Sequence, residues 1–301
     1  MNIRSRILRC LYRTFPFSLK GDLSSVQDNS EYDISCVINF YGRPELLEGI
    51  LYSLKEQDLP KDRFEVVMVE DRGGTPDGRR TVQRFKDSLN IHYSVLTEKY
   101  GHMGYSRNVG ISESKGRYIL FLDDDTVILQ KDFLRKIIEE FENSGADGVV
   151  PFGSASFCLW RERYDYHDPR YPSNRCMAYR REALLELGGF VSDIIGQEDV
   201  EFVIRFLASG KKFFYSEYLR YLHPPLLMNN LNKAKAVGIS FARLRKRYPL
   251  VVWLMLLING ARYLPLIVFP FKKKWWMQGR FSLGFLIGVI YSFTGKKIQY
   301  S

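Results

Sequence analysis

The sequence predicts an α/β protein with a mostly parallel sheet covered by helices on both faces, followed by a run of basic, apolar helices. Three observations carry this. Between residues 34 and 151, short continuous apolar runs alternate with helix-period segments. That pattern marks strands buried on both faces and joined by helical crossovers. One such run, Arg117–Leu122, delivers Asp123, Asp124 and Asp125 to its own end, and open α/β sheets present their sites beyond the carboxyl ends of strands. After Glu217 the 301-residue chain carries 14 basic side chains and no acidic one, so its last third is a different kind of surface.

The elements follow in order. Ile34–Phe40 is the first strand. Pro44 opens a helix, a position where its missing N–H costs nothing. Leu46, Leu47, Ile50, Leu51 and Leu54 then recur at the spacing of an amphipathic stripe. Phe64–Val69 is a second strand, ended by Glu70-Asp71-Arg72-Gly73-Gly74, and Ile91–Leu96 a third. Tyr105–Ser114 reads as a helix, Arg117–Leu122 as the fourth strand, Asp132–Phe141 as a helix and Gly148–Pro151 as a fifth strand. Residues 152–176, rich in Arg, Tyr, Asp and Pro, read as a long loop region. Structure resumes at Met177–Leu187 and stops at Gly188-Gly189. Glu198–Ala208 is an amphipathic helix with Phe202, Val203, Phe206 and Leu207 inward and Gly210 where a C-terminal glycine belongs. Lys212–Tyr215 returns as a strand.

Charge divides the chain further. Residues 1–20 hold five basic side chains and no acidic one, whereas residues 21–217 hold 25 basic and 34 acidic groups. We therefore expect a basic N-terminal segment (1–30), an α/β domain (31–225) and a basic, apolar C-terminal region (226–301). In the last region Leu226–Tyr248 reads as a helix that turns basic at Arg243, Arg245, Lys246 and Arg247. Leu250–Phe271 is apolar but broken by Asn259, Gly260, Arg262, Pro265 and Pro270. Lys272-Lys273-Lys274-Trp275-Trp276 and the apolar run Phe281–Phe293 follow. A spanning helix needs about 20 apolar residues in sequence, and neither run meets that. Short apolar helices with basic and tryptophan flanks suit a bilayer interface instead, so an anionic membrane surface is the expected partner. A buried helical layer or oligomer interface is the alternative, and the absence of acidic residues over 84 positions weighs against it. Nucleic acid would accept the charge but has no use for the apolar runs, and is not expected as a partner.

Four scattered cysteines without a C-x-x-C pair, and four scattered histidines, argue against structural zinc. The arginine-interrupted N-terminus has no secretory pattern, so the expected setting is reducing, at the cytoplasmic face of a membrane.

The acidic trio carries the chemistry. Three carboxylates gathered at one strand end repel one another unless a cation sits among them. Hard divalent ions take carboxylate oxygens and bridge substrate phosphates. An EF-hand is excluded, because the loop lacks its glycine and closing glutamate.

Six ordered motifs now bear comparison with known families: Cys36-Val-Ile-Asn-Phe-Tyr-Gly-Arg-Pro44, Val69-Glu-Asp-Arg-Gly73, Ser106-Arg-Asn-Val-Gly110, Phe121-Leu-Asp-Asp-Asp125, Leu187-Gly-Gly-Phe190 and Gly196-Gln-Glu-Asp199. Over about residues 33–225 the chain resembles the family 2 glycosyltransferases of the GT-A fold. The resemblance implies that Asp125 of the D-x-D motif binds Mn²⁺ or Mg²⁺ and that Asp123 approaches the donor ribose, with Asp124 able to contribute. It gives Asp71 the nucleotide base, although the family usually has a second aspartate where this chain has Glu70. The bland reading of Asp71 is a turn-forming aspartate. Asn39, Tyr41 and Arg43 fall where base and ribose contacts are made. Arg107, a forked donor, would hold nucleotide or phosphate, or else pair with a nearby aspartate. Within the acidic pair Glu198-Asp199, Asp199 matches the catalytic base, and both residues also suit a helix start. His223 lies where many GT-A enzymes complete the metal site. Trp160, Arg161, Arg163, Tyr164, Tyr166 and Arg175 are candidates for the acceptor groove.

The implied activity is a metal-dependent, inverting transfer of sugar from a nucleotide-diphosphate sugar to a hydroxyl of a membrane-associated glycan or lipid-linked acceptor. A polyprenyl-phosphate sugar synthase is the near rival. Its phosphate nucleophile needs no base, which the Glu198-Asp199 pair disfavours. A non-catalytic membrane-bound scaffold that binds nucleotide sugar is the rival from another class. A nucleotidyltransferase would need a glycine-rich phosphate loop near the first strand, and that loop is missing.

Overall fold

Period-two alternation in the strand Tyr32–Phe40 (β1) sorts its side chains between two cores. Ile34, Cys36, Ile38 and Phe40 enter one, and Val37 enters the other. The computed structural model describes residues 3–24, 26, 30–155, 172–224 and 231–295. After a first helix, α1 (Ile3–Thr14), the chain runs β1, α2 (Pro44–Lys55), β2 (Phe64–Glu70), α3 (Pro76–Phe85), β3 (Ile91–Val95), α4 (Met103–Glu113), β4 (Gly116–Asp123), α5 (Phe133–Ser144) and β5 (Gly148–Ala155). It continues as β6 (Cys176–Arg180), α6 (Arg181–Glu186), α7 (Glu198–Ala208), β7 (Phe213–His223), α8 (Asn232–Arg243), α9 (Leu250–Ala261) and α10 (Lys273–Thr294).

Among the described residues one sheet forms in the order β3-β2-β1-β4-β6-β5-β7. β3, β2, β1 and β4 are parallel, β6 runs antiparallel between β4 and β5, and β7 pairs parallel with β5. Chain order therefore reverses between β1 and β4, the crevice where such sheets bind ligands. There Asn39 lies in register with Asp123, and Phe40 with Glu70 on the other side. One face is packed by buried residues such as Leu47, Ile50, Phe85, Ile137 and Phe141, and the other by Ile111, Leu184, Phe202 and Phe206.

Several expectations need amendment. Leu46 is 41% exposed, because only Leu47, Ile50, Leu51 and Leu54 of its helix face the sheet. α3 was not foreseen: it buries only Gly78, Thr81 and Phe85, so no stripe announces it. Its start is nonetheless marked by Thr75, whose Oγ1 accepts from Gly78 N at 2.9 Å, and by Pro76. The last strand, expected to stop at Tyr215, runs on to His223. Pro151 cannot donate to the ladder, and the β5–β7 register slips there, between Val150 and Phe152. Ser216 Oγ accepts from Tyr218 N and Leu219 N, folding the extra β7 residues into a bulge. The apolar run Leu250–Phe271 divides into α9 and a 3₁₀ turn, Leu264–Val268. Residues 226–230 of the helix expected over Leu226–Tyr248 lie outside the described residues, as do Trp160, Arg161, Arg163, Tyr164 and Tyr166.

α8 and α10 meet almost backbone to backbone. A Cβ on Gly238 would lie 2.0 Å from Phe285 O, and one on Gly288 2.0 Å from Lys235 O. The resulting layer buries Val237, Phe241, Met277, Phe281 and Phe285. The N-terminal segment joins it through Phe17, whose ring centroid is 4.9 Å from that of Tyr248.

Candidate active site

The strand β4 alternates Tyr118, Leu120 and Leu122 toward one face and Ile119 and Phe121 toward the other. Asp123, two residues past Phe121, therefore emerges on the face covered by α4 and α7. Arg107 of α4 meets it there, Nη2 lying 3.2 Å from Oδ1. The turn is clamped from the residue before β6, where the carbonyl of Arg175 accepts from Asp123 N at 3.1 Å and from Thr126 Oγ1 at 2.6 Å. A two-way bridge between Val127 and Leu222, 2.9 Å in each direction, draws the end of β7 onto the same turn. His223 thereby places Nε2 3.0 Å from Asp125 Oδ1 and 3.4 Å from Asp123 Oδ2.

Asp123, Asp125 and His223 offer ligand atoms all within 4.8 Å of one another. His223 Nδ1 is 2.6 Å from the carbonyl oxygen of Pro224. A carbonyl can only accept, so Nδ1 carries the proton and Nε2 is the nitrogen directed at the carboxylates, the usual arrangement of a metal-ligating histidine. Burial would lower the His223 pKa, but its hydrogen bonds to Asp123 and Asp125 outweigh that and raise it. Against the same burial cost, His223 and Arg107 hold Asp123 well below the carboxylate range, and His223 holds Asp125 below it. Asp124 is the exception. Burial, with the charges of Asp125 and Asp123, pushes it up to about 7 despite Arg43, and its Oδ2 is buried without a hydrogen-bond partner. Two hard oxygen donors and an imidazole suit a divalent ion such as Mn²⁺ or Mg²⁺.

The acidic pair at the start of α7 separates into two environments. Glu198 is 4% exposed and receives Arg107 Nε at 2.7 Å, while burial raises its pKa. Asp199 is half-buried and faces the cleft, with Oδ1 accepting from Val200 N at 2.8 Å. Arg107 thus joins the D-x-D aspartate to the α7 pair as their shared carboxylate partner. Asp71 accepts from Arg72 N and Gly101 N, each at 2.8 Å, which ties the end of β2 to the turn before α4. Glu70 is fully buried beneath it, accepting from Thr75 Oγ1 and Tyr93 Oη. Asn39 donates to Ser106 Oγ at 2.6 Å, and its buried Oδ1 has no partner. Tyr41 is exposed beneath the guanidinium of Arg72, 4.8 Å from its ring centroid. Arg43 lines the same cleft as Asn39 and Tyr41 but turns to the acidic trio. Its Nη2 lies 2.5 Å from Asp124 Oδ1 and its Nη1 3.1 Å from Asp125 Oδ2.

The eleven candidates for catalysis and for donor and metal binding line one cleft of about 770 Å³, together with Arg175 from the acceptor-groove candidates. Sequence reasoning missed its far wall, where Lys233 and Val237 of α8 and Phe281 of α10 face the α7 start. Lys233 and Val237 stand one helical turn apart, but no local pattern tells that this turn faces a site 34 residues earlier in the chain.

A mostly parallel sheet whose reversal crevice collects a D-x-D cluster, a histidine and a helix-borne acidic pair defines a glycosyltransferase of the GT-A fold. The chain belongs to glycosyl transferase family 2, which matches residues 35–218. It is 34% identical over 94 residues to the poly(ribitol-phosphate) beta-N-acetylglucosaminyltransferase TarS of Staphylococcus aureus, a match covering 31% of this chain and 16% of TarS. The glycosyltransferase AglE of Haloferax volcanii is 24% identical over 245 residues, covering 74% of this chain and 80% of AglE. Among solved structures, the mannosyltransferase PcManGT of Pyrobaculum calidifontis, in complex with GDP-Man and Mn²⁺, superposes with a TM-score of 0.63 at 15% identity. That superposition covers 98% of this chain and 94% of that one.

Proposed function

We propose that this chain is a metal-dependent, inverting glycosyltransferase that moves a sugar from a nucleotide-diphosphate donor to a hydroxyl on a membrane-associated glycan or lipid-linked acceptor. The observation that carries the reading is the meeting, in one cleft, of the Asp123–Asp125–His223 cluster with a cleft-facing Asp199. Asp123, Asp125 and His223 would hold Mn²⁺ or Mg²⁺, which when bound supplies positive charge to the departing nucleoside diphosphate. Asp71 and Tyr41 line the part of the cleft beyond β1 and β2, where the donor's base would lie. Arg107 keeps Glu198 and Asp123 in place. Asp199, the more accessible of the α7 pair, takes the proton from the acceptor hydroxyl. The hydroxyl oxygen bonds to the anomeric carbon from the face opposite the leaving group, and the bond from that carbon to the diphosphate breaks with its electron pair. The complex of the neighbouring structure with GDP-Man and Mn²⁺ supports this donor class. The test is Asp199→Asn: transfer should fall at least about a hundredfold while nucleoside diphosphate still binds. Turnover near the wild-type level would defeat the assignment and favour a phosphate nucleophile.

The membrane half of the proposal rests on the outer surface of α9. Leu250, Leu254, Met255 and Ile258 are exposed there. The 19-residue stretch Leu250–Val268 contains an 18-residue window of mean hydropathy 1.8, 17% of it buried, and is long and apolar enough to span by length and composition alone. Its continuous helix has 12 residues, about 18 Å at 1.5 Å per residue, short of a hydrocarbon core of about 30 Å. Lys272 lies over Trp275 at 4.0 Å and Arg280 over Trp276 at 4.6 Å, the aromatic–basic pairing favoured at a bilayer interface. We propose that the chain lies on the membrane rather than through it, at the cytoplasmic face expected from the sequence. Vesicles containing phosphatidylserine should sediment the wild type but not Leu254→Glu/Ile258→Glu, and equal sedimentation of both would sink this placement.

A further inference from the structure

Arg43 is an unusual residue for its position. It precedes α2 in a left-handed conformation, φ 52° and ψ 52°, which side chains other than glycine seldom adopt. From there its guanidinium reaches across the crevice from the β1 end to the β4 end. One nitrogen bonds Asp124 Oδ1 at 2.5 Å and the other Asp125 Oδ2 at 3.1 Å. The second oxygen of Asp125 faces His223 at 3.0 Å. One oxygen of Asp125 is thus held by the arginine, and the other faces the histidine of the ligand cluster with no hydrogen bond of its own. The Arg43 side chain is 54% exposed, against 5% for Asp124 and 14% for Asp125. It can therefore swing into the cleft that it lines, while the aspartates stay where they are.

We propose that Arg43 is a resident counter-ion that competes with the divalent ion for Asp125 and hands one edge of its guanidinium to the donor diphosphate when the ion arrives. This rests on the metal-dependent reading above. Two cations cannot share Asp125 at close range without repelling each other. An ion seated among Asp123, Asp125 and His223 displaces Nη1, while Asp124, outside that cluster, keeps its hold on Nη2 as an anchor. The freed N–H groups then stand beside the ion, where an anionic diphosphate would bridge the two charges. Ion and nucleotide binding become mutually reinforcing by the same factor in either direction. Without donor the arginine keeps the acidic trio compensated, so the ion alone is held weakly.

The experiment is a titration of the full-length protein with Mn²⁺, read by the paramagnetic resonance of free ion, without nucleotide and with saturating UDP or GDP. Wild type is compared with Arg43→Gln and Arg43→Lys, and circular dichroism confirms folding. For Arg43→Gln we expect Mn²⁺ alone to bind about tenfold more tightly, equivalent to about 1.4 kcal/mol. The tightening of Mn²⁺ by nucleotide should shrink by a similar factor. Arg43→Lys keeps a charge without the fork and should fall between. If Arg43→Gln binds Mn²⁺ alone no more tightly than wild type does, the competition is refuted while the metal reading stands. If wild type binds no Mn²⁺ under either condition, the metal reading fails and takes this inference with it.

Discussion

Replacing Arg107 with Met tests whether the two acidic groups of the cleft are held by one buried cation. The guanidinium is 3% exposed, 2.7 Å from Glu198 and 3.2 Å from Asp123, and lies 5.4 Å from the ring centroid of Phe121. Methionine keeps most of the apolar stem and removes the charge. Glu198, 4% exposed, is then left beside Asp199 with no partner. Breaking a buried ion pair by removing one member costs about 3–5 kcal/mol. Burial already raises the Glu198 pKa, and Arg107 is the main influence pulling it down, so the variant's Glu198 takes up a proton more readily still. An acid whose folded pKa lies above its unfolded value loses stability as pH rises beyond the unfolded value. The deficit relative to wild type should therefore be larger at pH 8 than at pH 5. Urea unfolding at both pH values measures it. The double variant Arg107→Met/Glu198→Met should recover much of the loss, with a coupling of about 1–3 kcal/mol. A single variant within about 1 kcal/mol of wild type at pH 8, or strict additivity, would refute a shared buried pair.

Two further outcomes follow from the same geometry. Gly238→Val drives a side chain into Phe285 O, 2.0 Å from the new Cβ. It should lower stability by about 1–3 kcal/mol, and an unchanged melting temperature would mean that α8 and α10 are not in backbone contact. His223 has a raised pKa because its proton is shared with Asp123 and Asp125. In the ion-free protein that contribution to stability is complete below about pH 6.5 and is lost as pH rises through the raised value. A divalent ion must displace the proton, so Mn²⁺ affinity should climb by up to about tenfold per pH unit across that window. A flat profile in wild type, or an equally steep one in His223→Gln, would remove the histidine from the ligand set.

The central sheet was legible because its strands obey local rules. β1, β2 and β4 are short, continuous and apolar, and each ends in polar residues at the crevice. The acidic trio, Asp71 and the α7 pair could be placed at element ends for that reason. Contacts set by pairing across the sheet could not. His223 reaches Asp125 only because an 11-residue β7, with a bulge at Ser216, bridges back to Val127, and Lys212–Tyr215 alone gives no sign of that length. Arg43 was assigned by its place after the first strand, but its partner is fixed by a left-handed residue and a long side chain, neither of which a motif records. α3 escaped because its helix signals were capping signals, Thr75 and Pro76, without an apolar stripe.

The C-terminal layer is tied to the helix that carries Asp199. α7, which carries Asp199, is fastened from several sides by buried groups. Arg205 and Glu201 pair at 2.8 Å with both side chains fully buried. Arg205 also donates to Leu19 O, Leu187 O and Gly189 O. Tyr248, between α8 and α9, donates to Glu201 Oε1 at 2.6 Å. One turn before α7, Ile195 N donates to Ser240 Oγ of α8 at 3.2 Å. α8 is in turn locked to α10 by the Gly238 and Gly288 contacts. These contacts tie the layer to the cleft. Its helices supply Lys233, Val237 and Phe281 to the cleft that Asp199 also lines, and its tyrosine holds the helix that carries Asp199. Docking through α9 would therefore fix the direction in which the cleft opens, presenting the α7 start to an acceptor that emerges from the same surface.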